Sequence, residues 1–110
     1  MLQCTQIQLG RNIIVLKVIA TTNVKEGCME QYLAGVKELV EKSQAEEGCV
    51  MYTLNHVKDA PNKLIMLEIW KDQAAFEFHT KTEHFTTILP KLREFTVPGE
   101  PAIFLTEVEF

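Results

Sequence analysis

The chain has 110 residues, 46% of them hydrophobic and 24% charged, with a formal net charge of −4. That length holds one hydrophobic core rather than two, and the composition is that of a folded domain rather than a disordered segment. Eleven Lys and Arg are scattered among fifteen Asp and Glu, which excludes nucleic acid and anionic membrane surfaces as partners, because both require a concentrated basic face.

Residues 1–11 are glutamine-rich and only intermittently apolar, and read as an N-terminal arm ahead of a domain over 12–110. The arm lacks a basic start followed by an apolar core, and no apolar run approaches the roughly 18–20 residues of a membrane span. A cytoplasmic location is therefore expected. Cys4, Cys28 and Cys49 are an odd number with no C-x-x-C pair, which predicts reduced thiols rather than a disulfide framework or a zinc site.

From Ile13 to Thr22 the β-branched run IIVLKVIATT predicts a strand buried on both faces. Lys25-Glu26-Gly27 turns the chain into a helix on which Met29, Leu33, Val36, Leu39 and Val40 recur at helical spacing. Gly48 is the expected stop of that helix. Cys49 to Lys58 predicts a second strand with Val50, Tyr52 and Leu54 on one face. The turn Asp59-Ala60-Pro61-Asn62 leads back into an antiparallel third strand, Lys63 to Lys71. Asp72 is a good N-cap for the helix DQAAFEFHTK, and Thr82 for a further piece with the stripe Phe85, Ile88, Leu89 and Leu92, which Pro90 bends rather than ends. A last strand follows over 102–109.

This order, β-α-β-β-α-β, is the ferredoxin-like α+β arrangement: two helical segments on one face of a four-stranded antiparallel sheet. On the third strand Leu64, Met66, Glu68 and Trp70 share one side and Ile65, Leu67 and Ile69 the other. Both sides are mostly apolar, so the face without helices needs a cover. A homodimer with sheets packed face to face supplies one.

Glu68 and Trp70, two apart on a strand, point the same way. His79 shares a helix face with Ala75 and Phe76, the face expected to rest on the sheet. A carboxylate, an indole and an imidazole thus meet in the layer between sheet and helices, and Tyr52 joins them if its side of the neighbouring strand agrees. Singly, each has a structural explanation: a core Trp, a His bonded to a carbonyl, a Tyr reaching water. Glu68 has one only if Lys17 or another cation pairs with it, because an unpaired buried carboxylate is costly. No metal site is expected, since His79 and His84 are five apart and fall on different faces of a regular helix. Cys49 has no basic neighbour to activate it, and no Gly-rich phosphate loop is present.

Glu46-Glu47-Gly48-Cys49 with Tyr52, Leu67-Glu68-Ile69-Trp70-Lys71-Asp72, and Phe78-His79-Thr80-Lys81-Thr82-Glu83-His84-Phe85 together resemble the antibiotic biosynthesis monooxygenase domain family. The resemblance runs from about Ile13 to the final strand. It implies a dimeric α+β barrel and a cofactor-independent oxygenase acting on electron-rich phenols, quinols or anthrones, with neither metal nor flavin. It further implies that His79 accepts a substrate proton, that Tyr52 or Glu68 orients the anion, and that Trp70, Phe76 and Met66 bound the pocket. Isomerases of small phosphorylated sugars share the family, but the sequence offers them no obvious anion cradle. Haem-degrading relatives share the fold, but their first strand carries a central asparagine, whereas Asn23 follows the strand here. A non-enzymatic dimeric module that binds a small apolar ligand is the remaining class.

Overall fold

A computed structural model describes residues 14–99 and 102–109; the proposed arm over 1–11 lies outside them. Strand β1 (Ile14–Asn23) is followed by α1 (Met29–Gln44), β2 (Cys49–His56) and β3 (Lys63–Trp70). Two short helices, α2 (Gln73–Thr80) and α3 (Glu83–Leu92), a 3₁₀ turn over Arg93–Phe95 and β4 (Ile103–Glu109) complete it. The strands lie in the order β2-β3-β1-β4 and every pairing is antiparallel. This is the predicted ferredoxin-like arrangement, with the second helical segment broken in two.

The sheet is buried on one face. On β3, Leu64, Met66, Glu68 and Trp70 are buried under the helices, whereas Ile65, Leu67 and Ile69 stay half-exposed. The same alternation divides β1: Leu16 and Val18 are buried, while Val15, Lys17 and Ile19 are half-exposed. Burial of β1 on both faces is thus not met within one chain. Val36 and Leu39 of α1 and Leu92 of α3 close the core from above, joined by Tyr32, whose ring the apolar spacing did not flag.

Two expectations need correction at the α1–β2 junction. Helix α1 ends at Gln44, with Ala45 as a right-handed C-cap, so Gly48 is not its stop. What Gly48 provides is closeness to α2: a Cβ there would sit 2.4 Å from the Ala75 Cβ. Left-handed backbone is needed instead at Gly27 (φ 82), where the chain turns into α1. Val50 also departs from the predicted face. The β2–β3 register shifts between Cys49 and Met51, and this bulge leaves Val50 62% exposed while Tyr52 is buried opposite Glu68.

Candidate active site

Strand β3 delivers two polar groups to the layer beneath the helices. Across the sheet Glu68 faces Val18 on one side and Tyr52 on the other. Lys17 pairs with Ile69 and so belongs to the opposite face, which removes it as a partner. The partner is the neighbouring indole: Trp70 Nε1 donates to Glu68 Oε1 at 2.9 Å, and both side chains are buried. Burial pushes the Glu68 carboxyl up to about 7, the indole hydrogen bond opposing this and the Glu46 charge adding to it.

His79 comes from α2, whose first turn is fixed by Asp72 Oδ1 accepting from Ala75 N at 2.8 Å. Its ring stacks on Trp70, with centroids 4.4 Å apart and planes 34° from parallel. Tyr52 at 5.5 Å and Phe85 at 5.1 Å meet it edge-on. His79 Nδ1 lies 2.7 Å from Glu46 Oε2. Burial holds the His79 pKa below its ordinary value, with Glu46 pulling the other way, so the resting ring is neutral at pH 7.

Glu46 and His84 are the residues that sequence reasoning missed. A regular helix would place His79 and His84 on different faces, but the helix is not regular there. It stops at Thr80, and Thr82 starts a new one by accepting from Phe85 N at 3.2 Å while its hydroxyl donates to the His79 carbonyl at 2.7 Å. The break swings His84 back, and its Nε2 comes within 2.6 Å of the same Glu46 oxygen. Glu46 reaches them from the turn between α1 and β2. Its side chain is 6% exposed, and Glu46 Oε1 is buried with no hydrogen-bond partner among the described residues. Glu46 stands within the motif that suggested the family, yet no local spacing signals a partner 33 residues away.

The ligand-type atoms of Glu46, His79 and His84 lie within 4.8 Å of one another, and two imidazoles with a carboxylate are a donor set that zinc-type ions accept. At 2.6 and 2.7 Å, however, both rings already bond directly to one oxygen of the carboxylate, Glu46 Oε2.

A cavity of about 760 Å³ opens beside this cluster, a size suited to a ligand of two or three rings. Tyr52, Met66, Glu68, Phe76 and His79 line it, with Phe85 and Leu89 from α3. Trp70 is placed differently from the expected pocket wall. It is 0% exposed and backs the wall, holding the Glu68 carboxyl and the His79 ring from behind. Lys25, Lys63 and Arg93 border the same cavity, cations that sequence spacing did not group. Cys49 is no nucleophile candidate: burial first, then the Glu46 and Glu68 charges, push its thiol up to about 11. Among the described residues no helix is long and apolar enough to cross a membrane.

Comparison with known proteins agrees with this fold. The family model for antibiotic biosynthesis monooxygenase matches residues 15–91. The Bacillus subtilis (strain 168) protein named "Putative monooxygenase YcnE" is 40% identical over 82 residues, which is 74% of this chain and 84% of that protein. A conserved protein from Methanosarcina mazei Go1 superposes with a TM-score of 0.81 at 31% identity, covering 86% of this chain and 92% of its own. A crystal structure of an antibiotic biosynthesis monooxygenase gives 0.78 at 33% identity, covering 83% and 95%.

Proposed function

The chain belongs to the antibiotic biosynthesis monooxygenase family, and from that premise we propose that it is a cofactor-independent monooxygenase of a small electron-rich phenol, quinol or anthrone. The observation that carries this reading is a neutral, buried imidazole at an apolar cavity of about 760 Å³. A flat phenolic substrate rests against Phe76 and Met66, and His79 accepts its hydroxyl proton. Loss of that proton makes the ring electron-rich enough to give electrons to dioxygen directly. A C–O bond forms at the activated ring carbon, and the peroxide anion takes back the proton from His79. Loss of that carbon's hydrogen as the O–O bond breaks releases water and leaves a new carbonyl. One dioxygen thus supplies one oxygen atom to the quinone product and one to water. Tyr52 and Glu68 orient the anion. Burial keeps the Tyr52 hydroxyl protonated by raising its pKa well above the usual phenol value, so it acts as a hydrogen-bond donor. The protein's part is orientation and exclusion of water.

Metal-free protein supplied with a hydroquinone or an anthrone should consume oxygen, and His79→Ala should remove most of that uptake. Unchanged turnover in the variant would take His79 out of this role. A second reading has support from Lys25, Lys63 and Arg93 at the cavity border: isomerisation of a small phosphorylated hydroxyketone, with the same histidine moving protons and the cations holding the phosphate. Product formation under strict anaerobiosis would favour it. We place the active form as a homodimer, supported by the half-exposed apolar residues on the sheet face opposite the helices.

A further inference from the structure

We propose that Glu46 is a positioning residue for His79: its Oε2 fixes the ring in the Nδ1–H tautomer, and His84 holds the carboxylate in place for that task. The inference rests on His79 being the proton acceptor of the proposed reaction.

A neutral imidazole has one N–H and one lone pair, and the partner of the first decides where the second lies. An ionised carboxylate only accepts. At 2.7 Å from Glu46 Oε2, Nδ1 of His79 therefore carries the hydrogen, and at 2.6 Å so does Nε2 of His84. For His79 the lone pair falls on Nε2, which has no hydrogen-bond partner among the described residues, in a ring that lines the cavity. The opposite tautomer would turn a second lone pair against the carboxylate and present an N–H to the substrate. That ring could donate a hydrogen bond but could not take a proton.

The carboxylate is itself unusually placed. Both donors converge on one oxygen, and the other, buried, has no partner among the described residues. A buried carboxylate with one oxygen left without a partner among the described residues is under-compensated, so a positive ring beside it is welcome. When His79 takes the substrate proton, the imidazolium forms against this ready negative charge. Burial keeps the ring neutral at rest, and Glu46 stabilises the charged ring during the step. His84, bound to the same oxygen from α3, prevents the carboxylate from turning away, but it also competes for that oxygen's charge. The titratable groups facing His79 are thus Glu46 from the α1–β2 turn, His84 from α3 and Tyr52 from β2, with Glu68 of β3 in the same cavity.

The test reads the ring nitrogens of His79 by ¹⁵N NMR in the wild-type protein and then follows oxygen uptake in variants. Nδ1–H with an unprotonated Nε2 is expected; Nε2–H in the resting protein overturns the proposal whatever the variants do. In Glu46→Gln the tautomers should mix and kcat should fall roughly a hundredfold with KM little changed. The acidic limb of the rate profile should move to lower pH in Glu46→Gln and to higher pH in His84→Ala, where Glu46 serves His79 alone. A purely structural Glu46 would lower the melting temperature and leave the limb and the ring nitrogens where they were. One tightly bound metal ion per chain, with the ring state changing on chelation, would also overturn the proposal. The NMR measurement needs no substrate, so absent oxygen uptake would sink the oxygenase reading, while the ring state alone would still decide whether Glu46 fixes the His79 tautomer.

Discussion

Glu68 carries a cost that a cation would have removed. Among the described residues its one polar partner is the Trp70 indole, and its carboxyl rises to about 7 from an ordinary value near 4.5. The folded chain therefore holds this proton more tightly than the unfolded chain does. The associated stability is present in full below the unfolded value and is lost as pH rises through about 7. Glu68→Gln keeps an acceptor for the indole and removes the ionisation. The variant should be more stable than wild type at pH 8, by up to about 3 kcal/mol, and the gap should close toward pH 4.5. Thermal melts across that range check it, and a gap that does not change with pH would mean that Glu68 ionises freely in the fold. His79 is the complementary case: its charged form is disfavoured by burial, and the wild-type ring needs no proton removed before it acts.

The elements owe their placement to a few local devices. Thr82 both receives the end of α2 and starts α3, so the angle between the two helices, and with it the approach of His84 to Glu46, depends on one hydroxyl. Thr82→Ala should cost about 1 kcal/mol in urea unfolding, and exchange broadening of the His84 ring signals should accompany it. Gly48 works by absence. A methyl group there meets the Ala75 side chain at 2.4 Å, so the β2 start and α2 must separate. Gly48→Ala should destabilise by about 1–3 kcal/mol, and adding Ala75→Gly should recover part of the loss. Equal losses in the single and double variants would show that the contact is not the cause. The β2 bulge acts at the same scale: by displacing Val50 it brings Tyr52 into line with Glu68.

At the scale of the molecule, the sheet face away from the helices is the uncovered one. Val15, Ile19, Met51, Ile65, Leu67 and Ile69 are half-exposed on it, and Phe104 of β4 is 56% exposed. Packing two such faces together removes them from water, which is the physical basis for the proposed homodimer. Leu67 sits at the centre, flanked by Ile19 on β1 and Thr53 on β2. Leu67→Lys should yield a folded monomer in sedimentation, because it buries a charge at the interface and none in the core. A dimer of unchanged affinity would place the interface elsewhere. Ile103 and Leu105 lie on the helix side of β4 and are more than half exposed, since the helices do not extend over that strand.

The sequence alone determined the order of elements, the antiparallel β2–β3 pair, the two caps at Asp72 and Thr82, and the layer shared by Glu68, Trp70 and His79. Each is a matter of period two, period 3.6 or a local turn, and such patterns are written in neighbouring residues. The tertiary structure decided what those residues do to one another. It placed Trp70 behind the cavity wall, gave Glu68 an indole instead of a lysine, and joined His79 and His84 to Glu46 across 33 and 38 residues. These outcomes depend on the angle at the helix break, a one-residue bulge and the close approach of α2 to Gly48. Small changes in those angles redirect side chains by several ångströms, and no periodicity records them.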